Sequence, residues 1–166
     1  MLHGVAMIEQ SELINTFLQV ANLAHVHVAA SDVRAELLPA PHKRPSNLPP
    51  SSQVVYAFLL GDRCLKVGKA GPRSQARFTS QHYGFNAPAT LAKSLLKHPN
   101  HVAVLLPLAR QRELETLGET SVGAWIERNT SRFHIFLPTS AEALALSLLK
   151  AFLQCRLQPV FEGKVT

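Results

Sequence analysis

A β-hairpin is predicted by residues 53–68, which read QVVYAFLLGDRCLKVG. The first eight positions are almost all apolar or aromatic, which is typical of a buried strand. Gly61 and Asp62 interrupt this run as a turn, and residues 64–68 resume it as a second short strand. Strands joined by so short a turn are antiparallel, so Tyr56 is expected to face the end of the second strand.

Periodicity in the rest of the chain predicts an α+β protein, in which a small antiparallel sheet is flanked by helices. Two further runs have the composition of strands, and six have apolar residues at helical spacing. The strands are predicted at 101–108 and 132–137, and the helices at 11–23, 31–38, 74–78, 90–97, 113–129 and 140–157. The last helix is expected to bury a face made of Leu144, Leu148, Ala151 and Phe152.

Proline divides the chain into parts. Five of its eleven prolines lie within residues 39–52, beside Lys43 and Arg44, and such a stretch favours an extended linker over a helix. Residues 1–38 then form a short helical element that either packs on the rest of the chain or binds a partner. Residues 53–163 form the main α+β domain.

Positive charge is concentrated in one third of the chain. The net charge is +6, but residues 39–97 contain nine basic residues and one acid, whereas residues 1–38 have an acidic excess. Neutralisation of nucleic-acid phosphates requires such a block, although a solvated basic surface without a ligand has the same composition. The bases are Lys43, Arg44, Arg63, Lys66, Lys69, Arg73, Arg77, Lys93 and Lys97.

The sequence lacks the features of a membrane or secreted protein. No apolar run reaches 18 residues, and the first ten residues do not resemble a secretory signal. The two cysteines, Cys64 and Cys155, are expected to be small buried hydrophobes in a reducing compartment. A cytoplasmic location without membrane contact is therefore predicted.

A phenol and several cations are predicted to meet at the hairpin. Tyr56 lies on the first strand, Lys66 and Lys69 close the second, and Arg77 follows in the next helix. A phenol can position or deprotonate a water, and cations can stabilise charge that develops on phosphorus, so this set suits phosphodiester chemistry. Taken singly, a strand tyrosine is a common packing residue and Lys69 a common turn residue, so the prediction depends on the arrangement.

In this order and spacing the residues resemble the GIY-YIG nuclease superfamily. Tyr56 matches the tyrosine of the first signature, and Lys66 begins the second signature ten residues later, where many members have tyrosine. Arg77 stands at the position of the family's helix arginine, and His82 stands where members carry a histidine or tyrosine. The similarity covers about residues 53–163.

The resemblance implies a magnesium-dependent endonuclease that acts on DNA, either single- or double-stranded. It implies that Tyr56 activates or orients the water and that Lys66 and Lys69 hold the water or the scissile phosphate. Arg77 would stabilise the pentacovalent state, and His82 would carry a proton or contact phosphate. One Mg²⁺ would be bound by a single glutamate on the late helix. Further DNA contacts are expected from Lys43, Arg44, Arg73 and Lys93.

The chain departs from the family pattern at the expected metal ligand. Lys150 stands nine residues before Pro159, where the resemblance places the glutamate. A protonated lysine cannot ligate Mg²⁺, so this chain is expected to bind no metal and to cleave nothing. Three explanations are open: an inactivating change, a naturally non-catalytic DNA-binding relative, or a shifted helix that brings Glu142 to the site.

Two functions of different classes follow. The first is a metal-dependent endonuclease that is disabled at Lys150, and the second is a non-catalytic nucleic-acid-binding module on the same fold. A structural domain with an inert basic surface is the third interpretation, and DNA binding that is weak and insensitive to salt would favour it.

Overall fold

The computed structural model describes residues 5–162, with side chains from residue 10 onward. In this part of the chain one four-stranded antiparallel sheet is flanked by seven helices, so the predicted α+β class is confirmed. The strands are β1 (Arg34–Leu38), β2 (Ser52–Leu60), β3 (Arg63–Ala70) and β4 (Ser131–Pro138). The helices are α1 (Val5–Leu23), α2 (Gln75–Thr79), α3 (Leu91–Lys97), α4 (Asn100–Ala103), α5 (Leu108–Glu115), α6 (Val122–Asn129) and α7 (Ala145–Leu157).

The predicted hairpin is the centre of the sheet, whose strand order is β1-β4-β2-β3. Because side chains alternate along a strand, β2 contributes to a core on each face. Tyr56 and Phe58 pack on one face with residues of α3 and α6, whereas Val55 and Ala57 pack on the other with residues of α1 and α7. The face that holds Tyr56 also receives α2 and the 3₁₀ turn Gln81–Tyr83 that follows it.

The prediction of a helix at 31–38 is wrong, because this segment forms β1. The capping pattern at Ser31-Asp32 produces only the 3₁₀ turn Ala30–Asp32. Beyond it, residue Arg34 pairs with Phe136, and Leu38 pairs with Arg132, along the outer edge of β4. The backbone groups of this segment therefore find partners in the sheet rather than within a helix.

The strand predicted at 101–108 is also wrong. This apolar run forms α4, a turn and the start of α5. Pro99 and Pro107 immediately precede the two helices, where a missing backbone N–H costs nothing. Val102 and Leu106 are buried in the core that contains Tyr56, so the apolar spacing is helical in fact.

Two predicted helices have different bounds in the structure. The segment 113–129 is broken around Gly118 into the end of α5 and the whole of α6. The helix predicted over 140–157 begins only at Ala145 and buries a different face from the predicted one. Leu144 is exposed, and the buried residues are Ala145, Leu146, Leu149 and Leu153.

The proline-rich segment and the C-terminal segment both pack against the sheet domain. The His42 backbone N–H donates to Glu127 O at 2.9 Å, and Leu48 is buried in the core. Near the other end, the N–H groups of Val160 and Phe161 donate to Cys64 O and Leu65 O along the free edge of β3. Gly163, the last residue of the predicted domain, lies outside the described residues.

Within residues 5–162, none of the helices combines the length and the apolar character that a membrane span requires. The cysteine prediction is half right. Cys64 is buried, and its burial raises the pKa of the thiol to about 12. Cys155 is exposed on α7, which contradicts the expectation that both are buried.

Candidate functional site

The two strands of the hairpin meet at Tyr56 and Gly68, which are register partners. A β-carbon built on Gly68 would lie 2.5 Å from Cζ of Tyr56 and 2.6 Å from its hydroxyl oxygen. No side chain fits at residue 68 while the ring stays in place. Tyr56 and Gly68 are therefore sterically linked across the strand pair.

The Tyr56 hydroxyl is buried and has two hydrogen-bond partners. It donates to the backbone carbonyl of Arg77 at 3.1 Å and lies 2.8 Å from Nε2 of His82. The backbone N–H of Leu91 donates to Nδ1 of His82, so the hydrogen of this imidazole is on Nε2 and is donated to Tyr56. Burial raises the pKa of the phenol, and the positive charge of Arg77 offsets part of that rise.

His82 is a neutral positioning group in this arrangement. Burial lowers its pKa to about 2, and the charges of Arg77 and Lys66 act in the same direction. Both ring nitrogens are engaged, one by Leu91 and the other by Tyr56. The ring therefore fixes the orientation of the phenol from the core and reaches no phosphate at the surface.

The structure separates the two lysines that were predicted to act together. Lys66 pairs with Phe58 and lies on the Tyr56 face, whereas Lys69 pairs with Val55 and lies on the opposite face. Lys69 Nζ donates to Ser147 Oγ of α7 at 2.8 Å. Side chains alternate along a strand, so residues that are three positions apart point to opposite faces. Lys69 therefore does not lie beside Tyr56.

Lys66 is buried near the C-terminal segment and is affected by two other cations. Its ammonium donates to the Phe161 carbonyl at 3.0 Å. Burial lowers the pKa of Lys66; the Glu162 carboxylate opposes this, and the positive charges of Arg77 and Lys150 lower it further. Cations from α2 and α7 thus both act on Lys66 of β3, and we call Lys66, Arg77 and Lys150 the cation cluster.

Arg77 is held at this cluster by the loop before α3. One guanidinium nitrogen donates to the Pro88 carbonyl at 3.1 Å, while its backbone carbonyl receives the Tyr56 hydroxyl. The side chain is half-buried, so the guanidinium is fixed in direction and still partly open to solvent. This preorganisation suits the recognition of an anion.

The four residues predicted for DNA contact divide into two kinds. Lys43 and Arg73 are exposed. Arg44 forms an ion pair with Glu127 and lies 4.5 Å from the centre of the Tyr83 ring. Lys93 Nζ donates to the Ala87 carbonyl at 2.8 Å. Arg44 and Lys93 therefore hold the proline-rich segment and a loop in place.

The residues at the cluster do not fit a magnesium ion. Mg²⁺ needs oxygen ligands, and position 150 supplies an ammonium. The nearby carboxylate of Glu162 accepts the Val67 N–H at 3.0 Å with one oxygen and a hydrogen bond from Gln154 with the other. Glu142 is exposed in the turn before α7 and is not among the charges that act on Lys66.

Sequence reasoning missed Arg132, which is fully buried beneath the site. Its guanidinium donates to the Tyr83 hydroxyl and to the Phe78 carbonyl, both at 2.9 Å. It also lies within 4.8–5.2 Å of the ring centres of Tyr56, Phe58 and Phe78. The signal available in the sequence was a basic residue inside an apolar strand; the structure places it opposite Phe58 in register.

Arg132 and its neighbour His134 each keep one polar atom without a partner. Among the described residues, these unpartnered buried atoms are Nε of Arg132 and Nε2 of His134. The other ring nitrogen of His134 lies 3.1 Å from the Glu36 carboxylate. Burial lowers the pKa of His134 to about 2, and the charge of Arg132 contributes, so the imidazole is neutral.

Comparison with known proteins gives no significant match to a family model, to a curated protein or to a solved structure. The functional interpretation therefore depends on the residues and on the geometry described above.

Proposed function

We propose that this chain binds nucleic-acid phosphates and, as it stands, does not cleave them. The observation that carries the proposal is the half-buried guanidinium of Arg77, which the Pro88 carbonyl holds at 3.1 Å, together with the charges of Arg77 and Lys150 that both act on Lys66. Arg77 and Lys150 both repel the positive charge of Lys66, and a bound phosphate relieves that repulsion. Lys43 and Arg73 are further exposed cations of the basic third of the chain.

Binding without cleavage is supported by the state of Tyr56. The hydroxyl contributes no surface, both of its hydrogen bonds are to the protein, and its pKa is raised by burial. A phenol in this state neither contacts a water nor accepts its proton. Lys150 adds a positive charge where the GIY-YIG resemblance expects a metal-binding glutamate.

A magnesium-dependent DNA endonuclease of the GIY-YIG type is the second candidate. The steric pairing of Tyr56 with Gly68, and the contact of the phenol with the backbone of Arg77, favour it. These residues stand in the order that the resemblance requires. In this interpretation the change at Lys150 disabled an enzyme whose other parts persist.

The direct test is the affinity of the chain for a fluorescently labelled DNA oligonucleotide over a range of salt concentrations. About four to six phosphate contacts give a slope near −4 to −5 for log K against log salt on a duplex. Arg77→Gln and Lys150→Gln should each weaken binding and reduce the slope by about one. Arg63→Gln, at the exposed far end of β3, is the matched control. A flat salt dependence, or equal effects of all three variants, contradicts the proposal.

A further inference from the structure

Three aromatic rings lie nearly parallel at the end of α3. His98 and His101 have ring centres 5.2 Å apart and an interplanar angle of 15°. His101 and Phe161 follow at 6.2 Å, again with an angle of 15°. These separations fall in the range of offset stacking between aromatic rings. We call these three residues the ring stack.

The ring stack runs from the buried Phe161 towards solvent. Phe161 is buried, and its carbonyl accepts the hydrogen bond from Lys66 Nζ at 3.0 Å. Its backbone N–H donates to Leu65 O at 2.8 Å, which fixes the backbone of Phe161 on β3. His98 and His101 are both exposed. The stack therefore begins at a residue whose backbone contacts Lys66 and ends in two rings that are open to water.

We propose that the ring stack is a platform for an unpaired nucleobase, and hence that the preferred ligand is single-stranded nucleic acid. This inference rests on the proposed function, because the cation cluster must hold the phosphates. Every base has a π face that stacks on an aromatic ring without regard to sequence. In a duplex those faces are covered by neighbouring base pairs, and only the edges are open in the grooves.

Stacking is the chemistry that this histidine pair offers. Metal binding is the usual alternative for two histidines that lie three residues apart. Within the described residues, however, no three histidine, cysteine or acidic side chains converge on a possible metal position. In the stack His101 is covered on both sides, so the outer face of the exposed His98 ring is the one that a base can cover.

The experiment compares two oligonucleotides with the same number of phosphates. One is a single-stranded dT oligonucleotide, and the other replaces its central nucleotides with abasic sites. The wild-type chain should bind the dT oligonucleotide about tenfold more tightly, which corresponds to the loss of one stacked base. His98→Ala should remove this difference, whereas His98→Phe, which is uncharged but aromatic, should keep it. His27→Ala, which changes an exposed histidine after α1, is the matched control.

A second readout reports stacking directly. The chain has one tryptophan, Trp125, which is buried in α6. His98→Trp adds an exposed indole, whose fluorescence the dT oligonucleotide should quench and the abasic oligonucleotide should not. Equal affinity for the two oligonucleotides, or tighter binding of the matching duplex, overturns the inference and leaves phosphate binding intact. Failure to bind either oligonucleotide or the duplex overturns the proposed function itself.

Discussion

The ring of Tyr56 fills the space that a β-carbon at residue 68 would need, so Tyr56 requires a glycine opposite it in the sheet. The nearest ring atom would be 2.5 Å from a β-carbon at Gly68. Gly68 is thus required because it lacks a side chain, and not because of its backbone flexibility. Its substitution tests whether the orientation of the phenol matters for the fold.

We predict that Gly68→Ala destabilises the chain by about 1–3 kcal/mol, because the methyl group and the Tyr56 ring cannot occupy the same space. The free energy of urea unfolding measures the effect. Gly71→Ala is the control, since a β-carbon at Gly71 meets no atom within 4 Å. Equal stability of the two variants would show that the ring moves aside without cost.

Acidification should destabilise the fold through its buried histidines. An exposed histidine in the unfolded chain has a pKa near 6.5, whereas the folded pKa of His82 and that of His134 are about 2. The unfolded state therefore binds protons first as the pH falls. Stability is complete above pH 6.5 and declines below it, by about 1.4 kcal/mol per pH unit for each such histidine.

His82→Gln should accordingly flatten the pH dependence of the unfolding free energy by about 1.4 kcal/mol per unit between pH 6 and 4. Phe58→Leu weakens the same core without removing a titrating group, so it should keep the wild-type slope. Unfolding curves at several pH values give both slopes. Parallel slopes for His82→Gln and the wild type would refute the assignment of a neutral His82.

We expect Arg132 to stabilise the fold through the two hydrogen bonds that its guanidinium donates, more than through its positive charge. Arg132→Met leaves the Phe78 carbonyl without a donor and should cost about 1–3 kcal/mol. Arg132→Lys should cost more, because it keeps a buried charge and cannot span both acceptors. Arg128→Met, at an exposed position, should have little effect. A lysine variant more stable than the methionine variant would contradict this account.

The candidate nuclease activity is tested by restoring a carboxylate at residue 150. If the endonuclease interpretation is right, Lys150→Glu should nick plasmid DNA in the presence of Mg²⁺ and not in EDTA, and a further Tyr56→Phe change should abolish nicking. Lys150→Gln removes the cation without adding a metal ligand, so it should remain inactive. Nicking by the unchanged chain with Mg²⁺ would contradict the role assigned to Lys150.

The sequence predicted the parts of the site that depend on local order. Tyr56, His82 and the backbone of Arg77 meet, because a hairpin and the turns after it bring nearby residues together. The phenol, however, is buried and contacts the Arg77 carbonyl instead of the predicted cations. The prediction that Lys66 and Lys69 act together is wrong, because residues three apart on a strand point to opposite faces. This alternation could have been applied to the sequence alone. The position of Arg132 depends on a strand pairing that no local pattern specifies.

The fold shows the same division between local and long-range information. The hairpin, β4 and α3 follow from composition and capping, with Thr90 accepting the Lys93 N–H at the start of α3. Strand β1 does not, because its residues also fit a helix and only the edge of β4 decides between the two. Tertiary pairing outweighs local propensity in that segment.

Because a chain is synthesised from its N-terminus, the strand order determines which strands can pair first. Strand β4 lies between β1 and β2, yet it is the last strand to be synthesised. Glu36 and His134, which meet across β1 and β4, are 98 residues apart in the chain. Until β4 leaves the ribosome, β1 has no partner within the sheet and only the β2–β3 hairpin can form. Completion of the sheet then requires the late strand to enter between two earlier ones, a distant closure of the kind that makes folding slow.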